Sequence, residues 1–129
     1  MSTRALIHFY DKSTDRRPFV TVYRQCDGYP EGLGKELSDL IHDAKIVNGY
    51  GGAQAIPKYF NGIGCLAAWV IGQLKGSQIG NVYLDKAGVK DVGEEYTYRV
   101  KPEKETGTEW RIALTCDEVD ARLPASDPS

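Results

Sequence analysis

The chain is poor in the residues that most often carry chemistry. Two histidines, His8 and His42, and three cysteines, Cys26, Cys65 and Cys116, are all that 129 residues hold. None stands in a CxxC pair or at a His/Cys ligand spacing, so neither a zinc site nor a disulfide framework is indicated, and reduced thiols are expected. Cys26 alone has a cation, Arg24, close by in sequence, but no histidine neighbours it to act as its base. No apolar run approaches the ~18 residues of a membrane-spanning helix. The opening Met-Ser-Thr-Arg leads into an alternating segment rather than a signal sequence, so a cytoplasmic protein without a membrane partner is expected. A surplus of positive charge is also lacking: the net charge is -2 and the pI about 5.7, which argues against coating nucleic acid by bulk electrostatics. A hydrolase or transferase would need a nucleophile with its base, a carboxylate pair or a metal cluster. With none at a diagnostic spacing, the expectation is a binding protein, not an enzyme, with no cofactor and no metal.

What is present suffices for one packed core: 41% of the residues are hydrophobic and 26% charged. A single domain is expected over residues 1–116, followed by an acidic, then Pro/Ser-containing tail over 117–129. Arg4 to Tyr10 alternates, with Ala5, Ile7 and Phe9 on one face and Leu6, His8 and Tyr10 on the other, as a strand does. A polar stretch from Asp11 to Pro18 leads to a second strand from Phe19, and Arg16 and Arg17 read as solvated loop charges. Between Tyr23 and Glu31 a strand gives way to a helix. Asp27-Gly28 supplies turn chemistry, Pro30 suits a first helical position and Glu31 its positive end. Leu33, Leu37, Leu40, Ile41 and Ala44 then fall at helical spacing.

Glycine-rich Val47 to Pro57 is loop by composition, either a cradle for an anion or a connection carried over the sheet; the P-loop pattern is absent. A second helix is expected from Lys58 to Lys75. Its Gly64, Ala68 and Gly72 form a smooth ridge beside Trp69, suited to tight packing on the sheet or to self-association. Three alternating segments follow, Gly80 to Asp85, Glu95 to Lys101 and Glu109 to Cys116. The order strand-strand-helix-helix-strand-strand-strand predicts an α+β fold, an antiparallel sheet of about five strands with two helices on one face.

The segment Tyr23-Arg24-x-x-Asp27-Gly28-Tyr29-Pro30-Glu31-Gly32 resembles the signature of a family of short phage and prophage proteins. The likeness continues through Asn61 to Ala68, Val82-Tyr83-Leu84 and Asp91 to Tyr98. One branch it resembles is the viral Thoeris anti-defence sponges, which sequester cyclic ADP-ribose isomers, and in some members cyclic oligonucleotides, without hydrolysing them. That resemblance implies a small antiparallel sheet with two helices, a dimer or larger homo-oligomer, and Arg24, Asn81 and Arg99 as contacts to a small anionic nucleotide ligand. The family's usual histidine is replaced by Gln25-Cys26. The competing function is a phage-encoded inhibitor that blocks a host defence complex by surface contact.

Two further expectations come from the residues. Asp27 is expected to position Arg24 or to cap the first helix. If the last two strands pair with Tyr98 opposite Ile112 and Val100 opposite Trp110, then Arg99 faces Arg111. That juxtaposition calls either for a charge ladder completed by Glu95 and Glu109 or for a phosphate pocket of Arg24, Arg99 and Arg111 with Trp69 or a tyrosine stacked on a base.

Overall fold

The computed structural model describes residues 3–47, 59–106 and 109–119. In chain order the elements are β1 (Ala5–Phe9), β2 (Val20–Arg24), a π-helical turn (Pro30–Gly34), α1 (Lys35–Ile41), β3 (Lys45–Val47), β4 (Tyr59–Asn61), α2 (Ile63–Lys75), β5 (Val82–Asp85), β6 (Tyr96–Thr106) and β7 (Glu109–Glu118). The strands form one seven-stranded sheet in the order β4-β3-β7-β6-β1-β2-β5. β1 is buried on both faces, as a strand deep inside a sheet must be. It runs antiparallel to β2 and parallel to β6. β3 and β4 form the second parallel pair.

The α+β class is as expected, with two corrections: the sheet has more strands than about five, and it is mixed rather than antiparallel. Both added strands, Lys45–Val47 and Tyr59–Asn61, are three residues long. Alternation cannot declare itself over so short a run, and Tyr59-Phe60-Asn61 falls within the first turn of the helix expected from Lys58 to Lys75. Of the glycine-rich loop only Val47, the last residue of β3, lies among the described residues, and positions 120–129 of the expected tail lie outside them. Asp117 and Glu118, assigned to that tail, instead continue β7 opposite Thr97 and Tyr96.

One face of the sheet carries the core. Ala5, Ile7, Phe9, Val22, Tyr98 and Val100 meet Leu33, Leu37 and Ile41 of the first helical segment and Ile63, Leu66, Ala67, Val70 and Leu74 of α2. The opposite face presents Leu6, His8, Thr21, Thr97 and Arg99, which alternate with the core residues along the same strands.

The β6–β7 register also differs from expectation. Tyr98 pairs with Cys116, Val100 with Leu114, Arg99 with Thr115, and Arg111 with Glu103. Hydrophobic alternation fixes only whether the pairing is odd or even, so a slide of four residues keeps the apolar faces coincident and passes unseen in the pattern. β6 continues through Pro102 to Thr106, beyond the end of β1, so the missing N–H of Pro102 costs no bond on that side.

Candidate functional site

The strand-to-helix junction is built as the sequence suggests, with different partners. Arg24, only 4% exposed, donates from Nε to the Cys26 carbonyl at 2.7 Å. Its two terminal nitrogens grip the Glu36 carboxylate at 3.0 and 3.3 Å, a bidentate fork to the first turn of α1. Asn81, at φ 74°, accepts the Gln25 N–H on its carbonyl and the Cys26 N–H on Oδ1 at 2.8 Å. Gly28 is required by proximity: a Cβ there would lie 2.7 Å from the Ala5 Cβ and 2.9 Å from the Thr3 carbonyl oxygen. The Gly28 carbonyl accepts from the buried Tyr98 hydroxyl at 2.7 Å. Asp27 neither caps the helix nor holds Arg24. It sits at φ 60°, its carbonyl accepts the Leu33 N–H, and its carboxylate accepts from the Tyr29 hydroxyl at 3.3 Å.

Arg24, Asp27 and Asn81 do line one cavity, of about 540 Å3. Its other charged groups are Glu36 and Asp39, so carboxylates outnumber the single, already committed guanidinium. Among the described residues that line it, an anion finds no free cation.

The remaining expected site residues lie elsewhere. Trp69 stands on α2, on the core side, with its ring against Phe60 at 5.2 Å between centroids. Arg111 meets Glu103 at 3.0 Å across the β6–β7 pair. The Arg99–Arg111 repulsion therefore does not arise. Arg99 is on the outer face of the sheet, opposite to Arg24, since Arg24 pairs with Ala5 whereas Arg99 pairs with His8, three residues on. Arg24 and Arg99 do not share a pocket.

Around Arg99 a second concavity, of about 410 Å3, opens on that outer face. Its floor is His8 and Arg99, one rim is Arg16 and Arg17 on the β1–β2 connection, and the other rim is Gly88 and Lys90 on the β5–β6 connection. Arg99 is ion-paired with Asp117 of β7. Among the described residues Arg16, Arg17 and Lys90 have no carboxylate within ion-pair distance. The site therefore gathers unneutralised cations on two opposed rims, with a volume inside the ~300–1,000 Å3 range of small-molecule sites. His8 is almost fully buried, and burial first and the Arg99 guanidinium second hold its pKa below the ordinary value, with Glu94 pulling the other way.

Sequence reasoning missed this site because two long-range pairings build it: the antiparallel β2–β5 pair sets Asp85 opposite Thr21 and so brings the start of the β5–β6 connection beside the β1–β2 connection, and the parallel β1–β6 pair sets Arg99 beside His8. From the sequence, Arg16 and Arg17 are only solvated loop charges and His8 only one face of an alternating strand. The only local signal was the adjacency of the two arginines in a loop, which is common on surfaces.

Among the described residues no helix is long and apolar enough to cross a membrane, and no three or more His, Cys, Asp or Glu side chains gather as a metal site. No family model matches the chain, nor does any curated protein or solved structure. The geometry of the molecule has to carry the functional reading.

Proposed function

We propose that this protein binds and sequesters a small nucleotide-derived anion, a cyclic ADP-ribose isomer or a cyclic oligonucleotide, without chemically changing it. In this reading it is a phage-type sponge acting in the host cytoplasm as a homodimer or larger homo-oligomer, in the manner of the anti-defence proteins it resembles. The observation that carries it is the outer-face concavity, where Arg16, Arg17 and Lys90 surround Arg99 with no carboxylate of their own. Guanidinium forks meet phosphoryl oxygens two at a time, and a pyrophosphate or phosphodiester supplies the negative charge those rims lack. The anion contact thus moves from Arg24 to Arg16, Arg17 and Lys90, with Arg99 retained. Thermal denaturation of the purified protein against cyclic nucleotides and ADP-ribose isomers tests it. A stabilising shift at stoichiometric ligand, lost in Arg16→Ala/Arg17→Ala with the unliganded midpoint unchanged, is the expected result. No shift with any such ligand refutes it.

A protein-binding inhibitor is the second reading, and one observation favours it. The outermost strand β5 and its approach expose Ile79 (96%), Leu84 (69%) and Tyr83 (43%). Apolar side chains at an open sheet edge are where a partner strand or surface attaches. A protein that ignores every nucleotide yet loses its action in Leu84→Glu would be of this kind.

A further inference from the structure

The floor of the concavity contains a hydrogen-bond chain that fixes which nitrogen of His8 carries its proton. The Gly88 N–H donates to Thr21 Oγ1 at 2.9 Å, and the same oxygen lies 2.7 Å from His8 Nδ1. An amide can only donate, so the threonine oxygen is an acceptor toward Gly88. Its single hydrogen then needs an acceptor of its own, because Thr21 is completely buried. His8 Nδ1 is the only other partner that Thr21 Oγ1 has among the described residues. Nδ1 is therefore the lone-pair nitrogen and Nε2 carries the hydrogen. Among the described residues no buried side-chain nitrogen or oxygen lacks a partner, and Nε2 makes no hydrogen bond. Nε2–H accordingly opens onto the concavity that His8 lines.

Burial and the Arg99 guanidinium oppose charging of the ring, and Glu94 favours it. Arg99 faces the ring from β6, Arg16 and Arg17 from the β1–β2 connection, and Lys90 from the β5–β6 connection. Tyr10, just past the end of β1, stands edge-on at 6.4 Å, with the Lys101 ammonium over its ring. Three carboxylates on the elements around the ring are engaged, the first being Asp85, which pairs opposite Thr21 and accepts the Lys86 N–H at 2.7 Å. Glu94 accepts the Asp91 and Val92 N–H groups at 3.1 and 2.8 Å, and Asp117 holds Arg99. An imidazolium would also turn an Nδ1–H against the threonine hydroxyl, whose hydrogen would be left without an acceptor.

We infer that His8 is the specificity-determining residue of this concavity, a neutral donor whose Nε2–H is aimed by Gly88 and Thr21 at a phosphoryl oxygen of the bound anion. This rests on the anion-binding reading above and deepens it. Mobile surface cations attract anions of any shape, whereas one directed N–H on a rigid strand selects a ligand that presents an oxygen acceptor there. Diphosphate-bearing molecules meet both demands, one phosphoryl group on the floor and its neighbour between the rims. Gly88 and Lys90 belong to the same connection, so the chain that orients His8 also ties down the rim that carries a cation.

Inorganic pyrophosphate is the probe. Titration calorimetry at neutral pH is run on the wild type, Arg16→Ala/Arg17→Ala, Thr21→Val, His8→Gln and His8→Leu, and proton–nitrogen correlation spectra of the imidazole report its tautomer. The expected result is binding by the wild type and loss in the double arginine variant. His8→Leu should weaken binding about tenfold or more, the effect of one hydrogen bond to a charged group. His8→Gln, whose amide N–H reaches the Nε2 position, should stay within about threefold of wild type, and the free imidazole should be the neutral Nε2–H form. Thr21→Val should weaken binding as His8→Leu does, with His8 still in place. If Thr21→Val fails to fold, the His8 pair and the spectra decide. Wild-type protein that ignores pyrophosphate overturns the anion-binding reading and this inference together. Binding that is unchanged in His8→Leu, or an imidazole found as Nδ1–H or imidazolium, overturns the inference alone and leaves the anion site standing.

Discussion

Arg24 ends a strand beside a turn, as its sequence context promises, yet each guanidinium nitrogen is bonded within the chain, to the Cys26 carbonyl and to Glu36. It braces β2 to α1. Glu36→Ala should cost about 1–3 kcal/mol, the range for hydrogen bonds to a charged group, with the lower end favoured because the Glu36 side chain is half exposed. Urea denaturation measures it, and an unchanged midpoint would contradict the brace. Asp27 is legible as a turn residue but not in its role. At φ 60° an asparagine is as comfortable as an aspartate, whereas alanine is strained, so Asp27→Asn should be neutral and Asp27→Ala about 1 kcal/mol destabilising. Tyr98 braces the same junction from the core. Tyr98→Phe would leave the Gly28 carbonyl buried without a donor, at a cost of about 1–3 kcal/mol. Burial, then the neighbouring Cys116, raises the pKa of this phenol in the fold above its unfolded value near 10. A raised value means that the fold prefers the neutral phenol. Its contribution is whole below about pH 10 and declines as the pH climbs beyond, where unfolding releases a proton. Denaturation midpoints should fall across that alkaline range in the wild type, and Tyr98→Phe should fall less steeply.

Among the elements, legibility followed length and locality. β1 and β2 were visible through alternation, α2 through its apolar stripe, and the lysine that ends α2 through the turn after it. β3 and β4 were too short to show a period, and the parallel β1–β6 contact joins segments some ninety positions apart with no local mark. The β6–β7 register can be tested by cross-linking in a Cys116→Ser background. Arg99→Cys/Thr115→Cys places two thiols directly opposite each other and should oxidise readily, while Arg99→Cys/Arg111→Cys should not. The reverse outcome would restore the register that hydrophobic alternation first suggests. On α2 the small-residue ridge does not pack on the sheet. Gly64, Ala68 and Gly72 are exposed, and a Cβ at either glycine would meet nothing within 4 Å. Ala68→Trp should therefore leave the denaturation midpoint within about 0.5 kcal/mol of wild type, as for other surface changes. If the proposed homo-oligomer forms along this ridge, light scattering should show the same variant reduced to monomer. Unfolding of the variant would mean that the ridge is covered within the chain.

At the scale of the whole molecule, a net charge of -2 conceals a segregation. Glu36, Asp39 and Asp27 line the cavity by the junction, and the cations of Arg16, Arg17, Lys90 and Arg99 line the one on the outer face. The sum of charges argues against a nucleic-acid coat, but it cannot reveal a local basic site, because composition has no address. The two properties combine into one expectation about salt. At ~0.15 M ionic strength a charge is screened beyond about 8 Å, so the acidic side of the molecule neither helps nor hinders an anion already between the arginine and lysine rims. A long polyanion, however, must also lie along surface outside the concavity, and a net charge of -2 gives that surface no overall attraction for it. Pyrophosphate should bind at ~0.15 M salt and weaken by a modest factor when the salt is raised several-fold, since only a few charges are exchanged. Duplex DNA should not be retarded in a gel at the same protein concentration. Tight, steeply salt-dependent DNA binding that Arg16→Ala/Arg17→Ala abolishes would turn the concavity into part of a nucleic-acid surface and would exclude the small-ligand reading of the site.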